Sequence, residues 1–184
     1  MTDDDTASGE LREALVLDGK VAIAAHPHTI RVLGSTYPHT IVHIPDVKSD
    51  GTCATYAFGL CSRKGYRWIV QIPEPDVYAG RDFMEWLMRH HLVPRDGPPQ
   101  EGDIVLYLEN DTWSHIGTLV DNGRVRSKWG TFPVYEHGLF ELPATYGDQV
   151  IYMQPMAPDD AFRLFLEYAA SKGVPEDELE LARS

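Results

Sequence analysis

The sequence predicts an α+β fold, with helices packed on one side of an antiparallel sheet. Three observations carry that prediction. Apolar residues recur at helical spacing in two segments, 79–91 and 159–172. A stretch of alternating β-branched residues around Asp121-Asn122-Gly123 has the pattern of a β-hairpin. Short apolar runs at 104–108 and 150–153 have the length of strands.

The 184 residues suit a single domain, and a chain of this size buries roughly two-thirds of its unfolded surface. No run of about 18 apolar residues occurs, so no membrane-spanning helix is expected. The start, MTDDDTASGE, is acidic and polar, the reverse of a signal peptide, which points to a cytoplasmic protein. A specialised export route would leave no mark in this sequence. The formal net charge of −12 repels phosphate backbones, so nucleic acid and membranes are not expected as partners.

Taken in order, residues 1–10 form an acidic segment expected to be disordered. Runs at 21–25, 29–33 and 40–44 read as short strands among Gly, Pro and His. Ser49-Asp50-Gly51-Thr52 then precedes CATYAFGLCSRKG. Capping residues before an apolar run signal a helix start, and Gly65 after two basic residues signals its end. Cys53 is therefore expected in the first turn of a helix. In helix 79–91, Phe83, Trp86, Leu87 and His90 share a face. A proline-rich loop leads to strand 104–108.

If Asp121-Asn122-Gly123 is a three-residue loop with Gly123 left-handed, Val120 pairs with Arg124, Leu119 with Val125 and Gly117 with Ser127. His115, Gly117, Leu119, Val125, Ser127 and Trp129 then share one face, and Arg124, Arg126 and Lys128 point to the other as solvated charges. Residues 140–148 read as a loop into strand 150–153. Helix 159–172 turns Phe162, Phe165, Leu166 and Ala169 inward, and 176–184 is expected to fray.

Cys53 is the first candidate for chemistry. A thiolate is a nucleophile, and N–H groups at a helix start favour it and lie where an oxyanion would form. His115, with Gly117 leaving room beside it, is the candidate base. Ser127, diagonal to His115, is the candidate orienting residue, with Glu136 or His137 as alternatives in another register. In a helix, Cys53 and Cys61 lie about 12 Å apart along the axis, too far for a disulfide. With no CxxC pattern, they read as two thiols in a reducing compartment. His26, His28, His39 and His43 read as turn or surface residues rather than a metal site. Trp113 and Trp129 are candidates for cleft walls or core, and Tyr56 for core.

The order of these features resembles the NlpC-type papain-fold amidohydrolases and the related CHAP domains. The resemblance rests on a Cys at a helix start, then Gly-Asp-Ile-Val-Leu-Tyr at 102–107, then His-Ile-Gly-Thr-Leu-Val-Asp-Asn-Gly at 115–123. It covers about 50–127. Where that family often has Asp-Cys-Ser-Gly, this chain has Thr52-Cys53-Ala54-Thr55. The resemblance implies a papain-like domain over 11–175, with Cys53 as nucleophile, His115 as base and Ser127 at the third polar position, often His in the family. It implies cleavage of a peptide or protein amide through a thioester, with no cofactor and no metal. Two other readings are a deamidase or transferase effector using the same dyad and a degenerate papain-fold binding module. A histidine-ligated metal protein is a further rival. Substrate identity and oligomeric state are not encoded in any motif.

Overall fold

The computed structural model describes residues 3–17, 21–45 and 51–184. Its helices are α1 (Asp3–Ala14), α2 (His26–Leu33), α3 (Cys53–Ala57), α4 (Lys64–Ile69), α5 (Arg81–His90), α6 (Pro158–Ser171) and α7 (Glu176–Arg183). Its strands are β1 (Val42–His43), β2 (Ile104–Glu109), β3 (Thr112–Val120), β4 (Arg124–Lys128), β5 (Val134–His137) and β6 (Gln149–Met153). The chain is thus α+β, as the sequence predicts. All six strands join one antiparallel sheet in the order β1-β5-β4-β3-β2-β6.

Alternation along β2 and β3 gives the sheet two apolar faces. Ile104, Leu106, Leu108 and Ile116 point into a first core with Ala54 and Phe58 of the α3 segment, Phe83 and Leu87 of α5, and Phe165 and Ala169 of α6. Val105, Tyr107, Leu119, Val125, Trp129 and Tyr135 form a second core with Leu11, Leu15 and Ile30. Helical segments therefore cover both faces, which corrects the expectation of a one-sided layer. The N-terminal third supplies the second layer.

That layer is made from residues expected to be strands. Residues 23–25 form a 3-10 turn, and 29–33 lie in α2. His26 and Ile30, one helical turn apart, are both buried while Val32 is exposed, a helical rather than an alternating pattern. Pro27 sits in the first turn, where its fixed φ suits a helix. The third expected strand, 40–44, contains β1. Residues 3–10, expected to be disordered, lie in α1, and Leu11 near its end is buried in the second core. The expected frayed end is likewise helical: α7 buries Leu179 and Ala182 beside α4 and α6.

The helix expected over 53–65 breaks after one turn, because Gly59 adopts φ 66° in the left-handed region. A 3-10 turn at Leu60–Ser62 follows, and Gly65 lies inside α4 instead of ending a helix. In α5, Phe83, Met84 and Leu87 are buried and His90 is exposed. In α6, Phe165, Leu166 and Ala169 are buried as expected, and Phe162 is only partly covered.

The hairpin keeps the predicted register: Val120 pairs with Arg124 and Leu119 with Val125, with Gly123 at φ 72°. Pairing between β3 and β4 runs only to Thr118 and Arg126. Beyond that point the strands lose their ladder, and the site lies there. Before β2, buried Asp103 closes the proline-rich loop by accepting from Arg95 Nε at 2.8 Å and Gln100 N–H at 2.8 Å. Arg95 holds the Asp103 carboxyl below its usual range.

Candidate functional site

Cys53 is the first residue of α3, and a reciprocal cap sets its position. Thr52 Oγ1 accepts from Thr55 N–H at 3.3 Å, and Thr55 Oγ1 accepts from Thr52 N–H at 2.7 Å. Thr52 Oγ1 also donates to Ala79 O at 3.2 Å, which ties the cap to the segment before α5. Ala54 and Phe58 anchor the helix in the first core. The partly buried Cys53 sulfur faces the backbone N–H groups of Ile116, Ala54 and Cys53 itself. Burial pushes the thiol up, and those N–H groups together with the charge of Lys128 pull it back down. Cys61 Sγ donates to Thr55 Oγ1 at 3.2 Å, and no disulfide joins the two cysteines.

His115 precedes Ile116 on β3, so its side chain leaves on the opposite face, that of the second core. A β-bulge fixes its surroundings. Tyr107 pairs with His115 and Leu108 with Trp113, which leaves Ser114 as the extra residue. Ser114 Oγ reaches Tyr107 O at 3.1 Å and also Tyr146 O. This draws the 3-10 turn Ala144–Tyr146 over the strand, and the Tyr146 ring stacks on His115 at 4.0 Å with planes 5° apart. His115 is 1% exposed, and its Nε2 has no hydrogen-bond partner among the described residues. Burial first, and then the neighbouring charge of His137, hold its pKa well below the ordinary value.

Ser127 shares the second-core face with His115, as the register predicts, and Gly117 keeps the space between them open. A Cβ on Gly117 would lie 2.4 Å from Val125 Cγ1 and 3.1 Å from Ser127 Cβ. The expected Ser127–His115 hydrogen bond is absent among the described residues. His137 Nδ1 lies 2.8 Å from Gly138 O, and a carbonyl only accepts, so Nδ1 carries the proton. His137 Nε2 then accepts from Ser127 Oγ at 2.9 Å, while Ser127 accepts from Trp129 Nε1 at 3.1 Å. Burial lowers His137 to about 4.

The other candidates separate. Glu136 lies on the opposite face of β5, accepting from Arg124 at 3.2 Å and Arg126 at 3.0 Å, which lower its pKa. Trp113 packs in the first core and Trp129 in the second, so they do not wall one cleft. Tyr56 is partly buried, its hydroxyl pushed up by burial. His26 bonds Tyr135 Oη at 2.6 Å, His28 contacts Arg31 at 3.2 Å, His39 donates to Ile30 O at 2.9 Å, and His43 leans on the Tyr135 ring. Among the described residues no group of three His, Cys, Asp or Glu converges on a point where a metal ion would sit.

Lys128 corrects the expectation of an outward, solvated charge. It is fully buried, and its ammonium donates to Gly130 O at 2.6 Å and Phe132 O at 2.9 Å. Sequence reasoning also missed Tyr146, whose place depends on the Ser114 bulge. The structure therefore has a partly buried thiol among backbone N–H donors at the start of α3, a buried imidazole on β3 whose side chain leaves on the second-core face, and a buried lysine on β4. Searches against protein-family models, curated proteins and solved structures return no match for this chain.

Proposed function

We propose that this protein is a cysteine-dependent amide hydrolase of NlpC-like, papain-fold type, acting on a peptide or protein amide. The observation that carries this reading is that the Cys53 thiol faces the backbone N–H of Ile116, which lowers it, next in the chain to a buried His115 whose Nε2 has no partner among the described residues. The thiol sulfur would attack the amide carbonyl carbon as its proton passes to His115 Nε2. The Cys53 and Ala54 N–H groups are the donors available to the oxyanion. His115 would return the proton to the departing amine, leaving a thioester that water hydrolyses. With both groups buried, thiol and imidazole rest in their neutral forms, and the proton moves only during attack. Two thiols and an acidic surface suit a cytoplasmic setting and a substrate that is neither nucleic acid nor membrane.

A test is incubation with a panel of peptide amides and trapping of the acyl-enzyme for mass spectrometry. Wild type is expected to gain the acyl mass on the Cys53 peptide, whereas Cys53→Ala loses both the adduct and turnover. Full turnover by Cys53→Ala would overturn the proposal. One observation favours a second reading, a papain-fold binding module without chemistry: no hydrogen bond joins Cys53 to His115 among the described residues. That reading expects tight ligand binding with no acyl mass in wild type.

A further inference from the structure

The third residue of a hydrolytic triad has two tasks: it holds the imidazole in one orientation and steadies the positive charge that the ring takes up during attack. Ser127, expected in that place, gives its hydroxyl proton to His137 instead, and no hydrogen bond fixes His115 Nε2 among the described residues. What lies against the ring is Tyr146. The two rings stack with centroids 4.0 Å apart and planes 5° from parallel, while Tyr107, the cross-strand neighbour, stands 5.7 Å away at 43°. Tyr146 is itself held from three directions. Ser114 Oγ donates to Tyr146 O from the bulge, Trp129 meets the Tyr146 ring in a T-shaped contact at 6.5 Å and 80°, and Arg12 Nη2 of α1 donates to Gly147 O.

We infer that Tyr146 is the positioning residue of His115, its ring face doing for the imidazole what a polar third residue does in a triad. This deepens the proposed function and rests on it for the chemistry that His115 performs. Parallel faces at this separation restrict both side-chain torsions of His115. Turning the ring drives its edge into the Tyr146 face, and swinging it off the stack gives up the contact. A buried aromatic pair of this kind favours its own geometry by roughly three- to tenfold. The face of a tyrosine ring is also the negative side of its quadrupole, and a cation within about 6 Å of the centroid is attracted to it. The imidazolium formed when His115 takes the thiol proton lies inside that distance. Neither effect uses the Tyr146 hydroxyl, so the ring alone carries the role.

The test is the side-chain rotamer of His115 in solution, read from the three-bond NMR couplings of its Cγ to the backbone N and C′ in the full, isotope-labelled chain. Wild type is compared with Tyr146→Phe, which keeps the ring, and with Tyr146→Leu and Tyr146→Met, which cover His115 without one. Either ringless variant in folded form, judged by its melting transition, is enough. Wild type and Tyr146→Phe are expected to hold one rotamer. In the ringless variants the other rotamers rise from below about 10% to roughly a quarter to a half. On any amide that acylates wild type, the ringless variants lose about tenfold or more in kcat with KM kept, and Tyr146→Phe matches wild type. A single rotamer in a folded ringless variant, or several in wild type, overturns the inference and leaves Tyr146 a cover. The couplings need no substrate, so an unmoved rotamer condemns the Tyr146 role alone. Absence of the acyl mass in wild type condemns the hydrolase reading alone.

Discussion

Thr52 does two things for the residue that follows it. Its side chain satisfies the Thr55 N–H, and its own N–H is satisfied by Thr55. A helix of only five residues has little propagation energy to spare. Thr52→Ala is therefore expected to lower the unfolding free energy by about 1 kcal/mol in urea titration and to speed Cys53 alkylation by loosening its first turn. Thr52→Ser should keep both near wild type, and no change in the Ala variant would show that the cap is idle. Cys53 at a helix start and His115 on a strand were legible in the sequence, because local signals placed them: cap residues before one, a glycine-bearing alternation around the other. Tyr146 was not, since its stack on His115 requires the Ser114 bulge, which no sequence period announces. Neither was the buried state of Lys128. The alternation told correctly which face it takes, but that face became interior only because α3 packs over it.

At the scale of elements, Gly65 joins the C-terminal helix to the body. A Cβ there would lie 2.0 Å from Ala182 O, a backbone atom of α7 that cannot swing aside. Gly65→Ala is expected to cost about 1–3 kcal/mol and to raise hydrogen exchange in α7 selectively. Gly9→Ala makes the contrast: no atom lies within 4 Å of the new methyl in α1, so this change should leave stability equal or slightly raised. Equal effects from the two would refute the packing argument. The hairpin and strand β2 could be read from sequence because Asn-Gly turns and short apolar runs specify themselves locally. Residues 21–33 could not: β-branched Thr29, Ile30 and Val32 favour strand, and their helical state is set by tertiary burial of His26 and Ile30 together. The same limit explains the break at Gly59, which sequence alone reads as an interior position of one longer helix.

For the whole molecule, three buried histidines set the response to acid, and His115 is held well below its ordinary value. His26, which ties α2 to β5 through Tyr135, and His137, within the second core, are both lowered by burial to about 4. In an unfolded chain each ring titrates near 6.5. Between those values the unfolded state binds more protons, so stability is full above about pH 6.5 and falls as the pH drops toward 4. Roughly 2–4 kcal/mol should be lost per ring across that window, seen as a falling urea midpoint, and a flat profile would contradict the burial of these rings. His137→Gln should flatten the curve in part. Both rings sit on the second core, so acid is expected to loosen the N-terminal layer before the α5–α6 side. The margin of the sheet has a consequence of another kind. At β6, Arg95 N–H donates to Tyr152 O at 2.9 Å, Gln154 N–H donates to Val93 O at 2.8 Å, and Pro94, which has no N–H, bridges to Met153. That end of the outermost strand already has its backbone partners within the chain. A foreign strand arriving there finds few donors or acceptors left to recruit, so growth of the sheet from one molecule into the next is blocked along that stretch.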